Sequence, residues 1–160
     1  MLSIVHYPHP SLLKKCDIVN IFDDDLKNIA EKMILTMKAN KGIGLAANQV
    51  NINKRMFVMY SDDKDYIIIN PVIKFLSDEN MTFEEGCLSF PNISQKTNRA
   101  RTVLLQWQDI QGNLHEKEFH DVAAICIQHE IDHLDGITFI DNLSPLKKQF
   151  VLKKYKKNFN

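Results

Sequence analysis

The chain has 160 residues, 44% of them hydrophobic, with 20 basic and 20 acidic side chains and a formal net charge of zero. That suits one domain over residues 1–160 with a real core, too little for two comfortable ones, and no apolar run approaches the roughly 18 residues of a membrane span. Residues 1–8 lack a signal peptide's basic start and apolar centre, and three cysteines suggest a reducing compartment rather than a disulfide framework.

In chain order, Leu26, Ile29, Ala30, Met33, Ile34 and Met37 recur at helical spacing and predict a helix over 24–39, with Asp23, Asp24 and Asp25 suited to its N-terminus. Residues 55–60 (RMFVMY) and 66–70 (YIIIN) read as strands joined by a turn at Asp62-Asp63, and Pro71 permits an edge or a break before 72–76. Residues 85–91 (EGCLSFP) read as a small-residue turn before an extended stretch. Residues 101–108 and 114–119 predict a hairpin around Gln111-Gly112-Asn113, with Trp107 as packing. Asp121 is expected to cap a following helix that Gly136 stops. The pattern is α+β: a central helix against short, mostly antiparallel sheets, with an N-terminal and a C-terminal helix. Residues 146–160 hold six lysines and no acid, leaving the preceding 145 residues with 14 basic and 20 acidic side chains. Such a tail reads either as a solvated helix face or as an arm that contacts nucleic acid.

The central helix carries His129-Glu130-Ile131-Asp132-His133. Two histidines at i and i+4 lie on one face, about 40° apart around the axis and roughly 6 Å apart along it, so both imidazoles can grip one divalent ion. Glu130 is turned roughly 100° away and can address water without binding the metal, the general-base role this motif serves in metallopeptidases. The third ligand is less plain. A downstream histidine would fall at Phe139, which cannot coordinate, and no glutamate follows Glu130; Asp135 and Asp141 remain. His6, His9, His115 and His120 read as surface or structural. Cys126 sits about 10.5 Å along the axis from His133, too far for both to bind one ion at about 2.0–2.3 Å. Cys16 has no motif around it, and Cys87 reads as a thiolate facing a cleft or as one more buried small hydrophobe. Val122, Ile125, Cys126, His129 and His133 share one stripe of the helix.

A further segment, Gly42-Ile43-Gly44-Leu45-Ala46-Ala47-Asn48-Gln49, is weak alone. Together with Glu85-Gly86-Cys87-Leu88-Ser89 and Gln128-His129-Glu130-Ile131-Asp132-His133-Leu134-Asp135-Gly136, it resembles the three motifs of the peptide deformylases, in order and spacing, with no departure at a motif position.

The resemblance implies Cys87, His129 and His133 as metal ligands, with a fourth position open to water, and Glu130 as general base. It implies an oxyanion held by the Gln49 amide and the backbone N–H of Leu88. Gly42, Ile43, Gly44 and Gly86 would bind an extended peptide, and Ile125 and Cys126 would wall a pocket for methionine. The reaction implied is removal of the N-formyl group from newly made polypeptides. Cysteine plus two imidazoles accepts Fe²⁺, Zn²⁺, Ni²⁺ or Co²⁺ by softness; family habit points to Fe²⁺. The cytoplasm is the simplest address, an organelle of bacterial origin the other. The expected partners are N-formyl-methionyl nascent chains, no membrane and no specific nucleic-acid sequence. A ribosome contact would run through the tail, with Leu146, Phe150, Val151 and Leu152 holding its helix to the body. Two other readings are an endopeptidase with Asp135 or Asp141 as third ligand, and a non-catalytic metal-stabilised module.

Overall fold

Met56, Phe57, Val58 and Met59 are four consecutive residues with no solvent exposure, so the strand that carries them is covered on both faces. In the computed structural model, which describes residues 1–159, that strand runs Met56–Ser61 (β2). Its sheet also holds Gly44–Ala46 (β1), Lys64–Leu76 (β3), Thr102–Gln108 (β6) and Leu114–His120 (β7). The order is β1-β2-β3-β6-β7, antiparallel throughout. Helix α1 (Asp24–Ala39) covers one face, where Leu26, Met33 and Met37 meet Met56, Val58 and Ile69. Helix α2 (Asp121–Leu134) covers the other, where Ala124, Ile127 and Ile131 meet Phe57, Met59 and Ile68. Alternate residues of β2 thus feed opposite cores, as the two-residue period requires, and each buried large side chain contributes about 1.5–3 kcal/mol. No described helix is long and apolar enough to cross a membrane.

A second, two-stranded sheet pairs Asn80–Cys87 (β4) with Phe90–Ala100 (β5). Sequence pattern predicts the turn at 85–91 but no strand before it. Exposed residues of β4 alternate with ones that are mostly only half-buried, Glu85 alone being fully buried, and the pairing with β5 makes it a strand. Phe90 and Ile93 pack with Phe139, Ile140 and the Val151 and Tyr155 of helix α3 (Pro145–Phe159). Leu146 and Phe150, expected to hold this helix down, are 77% and 71% exposed. Val151 and Tyr155 lie on the face turned inward, and Leu146 and Phe150, also four apart, ride on the outward one.

Residues with positive φ make the turns at the ends of α1 and α2. Asp121 is not the cap of α2: His120 holds that position without a side-chain bond. Strand β7 runs into α2 with no connecting loop, so Asp121 makes the turn itself at φ +56°, its N–H bonded to Arg101 O at 2.9 Å. At the far end of α1, Lys41 N–H bonds Lys38 O at 3.1 Å and Gly42 N–H bonds Met37 O at 2.9 Å, the paired closure that needs a left-handed residue between. Lys41, at φ +58°, is that residue. Gly136 closes α2 at φ +76°, where a Cβ would also lie 2.9 Å from the backbone of Leu13.

Candidate active site

Helix α2 sets His129 and His133 one turn apart with their Nε2 atoms 3.1 Å from each other. The register of β4 on β5 shifts between Gly86 and Cys87, and Cys87 Sγ lies 3.3 Å from His133 Nε2. One ligand atom from each of the three residues falls within 4.8 Å of the others. Cys126 stays apart, its Sγ 3.8 Å from Ile43 O. The carboxylates left open by the sequence are engaged elsewhere: Asp135 with Arg55 at 2.8 Å, and Asp141 with Thr138 N and Lys148 Nζ at 2.8 and 2.7 Å. The other histidines also have local partners, His9 with Ser11, His115 with Asp109 and His120 with Glu118.

The donor set fits a cation. Glu85 Oε1 is 2.7 Å from His129 Nδ1, which favours the proton on Nδ1 and turns a bare Nε2 toward His133 and Cys87. Burial opposes a charge on His129, yet its hydrogen bonds to Cys87 and Glu85 push its pKa well above the usual value. Burial, aided by the charge on His129, pushes His133 well below. Two ring nitrogens and a sulfur gathered at one point have the softness of a transition-metal site.

Residues to which sequence pattern assigns no role hold this arrangement. Burial would raise Glu85, but His129 and Arg99 outweigh it and hold its carboxyl down to about 2. Arg99 reaches Glu85 at 2.6 and 3.2 Å and Asp132 at 2.8 Å, and Thr97 also bonds Glu85. Asn48 donates to the His133 carbonyl. Asp132 lies within the helix motif and could have been noticed; nothing local marks Arg99.

Glu130 is 4% exposed, and its Oε1 has no hydrogen-bond partner among the described residues. Burial pushes its carboxyl up to about 7, with the charge of His129 pulling the other way. A Cβ on Gly44 would stand 2.5 Å from Glu130 Oε2 and 2.7 Å from Cys126 Sγ, so only glycine lets β1 pass this carboxylate. The 3-10 helix Ala47–Val50 follows β1 directly. Gln49 Oε1 accepts from Ala46 N at 2.9 Å, which aims its Nε2 at Ser89 Oγ (3.2 Å) and toward Cys87 Sγ (3.6 Å).

Gln49, Cys87, His129 and Glu130 line a cleft of about 690 Å³. Gly42–Gly44, Gly86, Leu88, Ile125 and Cys126 line it as well. Leu88 leans across it: a Cβ on Gly42 would meet its Cδ1 at 2.9 Å. The carbonyl of Ile43 accepts from Tyr60 N–H at 2.9 Å, and the alternation of the ladder turns the N–H and C=O of Gly44 away from β2. Ile43 also lines the cleft, with its side chain half-exposed.

A family model described as polypeptide deformylase matches residues 1–149. Peptide deformylase from Chromohalobacter salexigens is 43% identical over 98% of this chain and 94% of its own length. That from Wolinella succinogenes is 42% identical over 98% and 96%. Among solved structures, peptide deformylase from Legionella pneumophila superposes with a TM-score of 0.93 at 34% identity, covering 98% of this chain and 94% of its own. The actinonin complex of the Ehrlichia chaffeensis enzyme gives 0.93 at 36% identity, covering 99% and 97%.

Proposed function

The chain belongs to the polypeptide deformylase family, and on that footing we propose that it is a metallohydrolase that removes the N-formyl group from the N-terminal methionine of new polypeptides, releasing formate. The observation that carries this is the convergence of Cys87, His129 and His133 near the buried carboxylate of Glu130, with Cys87, His129 and Glu130 lining an open cleft. We treat residues 1–160 as one catalytic domain with 146–160 as its basic tail.

In this reading Cys87, His129 and His133 hold the metal, with Fe²⁺ as the resident ion and Zn²⁺, Ni²⁺ or Co²⁺ as substitutes. Bound there, a divalent ion would supply Lewis acidity toward water and the formyl oxygen. Glu130 takes a proton from the attacking water and passes it to the methionine nitrogen as the C–N bond breaks. Its burial, which raises the pKa of its carboxyl, strengthens it as a base for the first step. The negative charge that develops on the former formyl oxygen needs donors fixed in advance. The Gln49 amide, locked by Ala46 and Ser89, and the Leu88 N–H serve that purpose. The backbone of Ile43 and Gly86 pairs with an extended peptide, Gly42 and Gly44 keep side-chain bulk out of its way, and the Ile125 and Cys126 stripe receives methionine. The cytoplasm, or an organelle of bacterial origin, is where such substrates arise. The lysines of α3 are read as a contact to ribosomal RNA.

Formate release from formyl-Met-Ala-Ser, set against acetyl-Met-Ala-Ser, tests the reaction, with metal analysis of anaerobically purified protein beside it. The formyl peptide should be hydrolysed and the acetyl peptide left almost untouched, since the added methyl would have to fit among the metal, Gln49 and the Gly42–Gly44 wall. Comparable rates would make the protein a broader amidohydrolase.

A further inference from the structure

Tyr155 brings a hydroxyl into a place where phenylalanine would fill nearly the same space. It is 5% exposed, sets its ring 5.2 Å from that of Phe90 and 6.3 Å from that of Tyr7, and donates its OH to Tyr7 O at 2.9 Å. A buried hydroxyl needs such a partner, and the bond adds little net stability over a purely apolar ring. What it fixes is the backbone of Tyr7, whose own ring is stacked on Phe90 at 4.7 Å.

The N-terminal segment that carries Tyr7 ties together the two stretches that supply the oxyanion donors. Val5 N–H bonds Gln49 O at 2.8 Å, and Tyr7 N–H bonds Ser89 O at 2.9 Å. Between them, His6 lines the cleft. Gln49 has its Oε1 settled within its own segment, by Ala46 N, but its Nε2 rests on Ser89 Oγ at 3.2 Å, in the turn between β4 and β5. The direction of the amide N–H therefore depends on where Ser89 stands, and Tyr7 holds Ser89. Ser89 has no solvent exposure, so in a close-packed interior a shift of its backbone passes to the amide it contacts. Resting on the deformylase reading, we propose that Tyr155 is a positioning residue for the hydrolysis, acting through Tyr7 and Ser89 to aim the Gln49 amide at the oxygen that becomes charged.

The test measures kcat, KM and metal content with formyl-Met-Ala-Ser for wild type, Tyr155→Phe, Gln49→Ala and the double variant. Tyr155→Phe keeps the ring and its packing and removes only the OH. Its kcat should fall about three- to tenfold, the equivalent of one hydrogen bond. KM and metal content should stay close to wild type, because the charge on that oxygen develops only in the transition state. In Gln49→Ala the amide is gone, and adding Tyr155→Phe should change kcat by less than about twofold. A tyrosine that serves packing alone would lower the melting temperature and leave kcat unmoved, or lower kcat by the same factor in both backgrounds. Either result, or a fall that tracks lost metal, overturns the proposal while leaving the deformylase reading intact. Failure of wild type to release formate overturns both.

Discussion

Glu130 carries a carboxylate with 4% exposure and one oxygen without a partner, a costly arrangement unless the group has work to do. Glu130→Gln keeps the shape and removes the capacity to accept a proton. The variant should retain its metal and lose about 10²- to 10⁴-fold in kcat, read by formate release and metal content on the same preparation. The two cysteines near the histidines should separate cleanly. Cys87→Ala should lose tight metal binding and activity together, because two histidines from one helix make an incomplete site. Cys126→Ala should keep the metal, since its thiol faces Ile43 O in the lining of the cleft. Metal content after dialysis against a chelator checks both, and the reverse pattern would refute the ligand assignment.

At the scale of elements, the site depends on how closely β1 and α2 approach. Gly44→Ala would press a methyl group onto Glu130 and Cys126. Displacing the carboxylate by about 1 Å is enough for a loss on the order of 100-fold, with the melting temperature reporting whether the fold survives. The β4–β5 hairpin contributes differently, through the buried Glu85–Arg99 pair. Against burial, His129 and Arg99 hold the Glu85 carboxyl at about 2, below its usual 4.5. A depressed carboxyl stabilises the fold above its unfolded pKa, and that contribution is lost as pH falls from about 4.5 to about 2. Glu85→Gln should therefore lower stability at pH 7 by about 3 kcal/mol, as loss of one member of a buried pair does. Its stability should also vary less than wild type's across that acid window. Urea midpoints at pH 7, 4 and 3 give both quantities; parallel curves would show that Glu85 does not gain from its partners.

Across the whole molecule, charge is segregated: six lysines and no acid lie in residues 146–160. Removal of this segment is a poor test of its role, because Val151 and Tyr155 belong to the third core cluster and Tyr155 OH donates to Tyr7 O at 2.9 Å. Replacing Lys153, Lys154, Lys156 and Lys157 with glutamine leaves that packing in place. The variant should hydrolyse short formyl peptides as before and sediment less with ribosomes at low salt, the wild-type association itself weakening steeply as salt rises. Equal sedimentation of the two proteins would make the tail a solvated helix face.

The HExxH spacing was legible without any structure, because a helix fixes i and i+4 by local hydrogen bonds alone, and His129 and His133 needed no other information. The strands read at 55–60 and 66–70, the hairpin from β6 to β7 and the stop at Gly136 follow in the same way from local pattern and turn chemistry, whereas the unbroken run of β3 through Pro71 to Leu76 comes with its pairing to β6. The three motif segments named the family but not their arrangement. Long-range packing alone brings Cys87 from the end of one strand to a helix 46 residues away. Packing likewise sets Arg99 between Glu85 and Asp132, and leaves Phe150 in water while Tyr155 is buried. Such contacts have no signature in nearby sequence, since their partners lie on other elements and only the closed core decides which face of each element is covered.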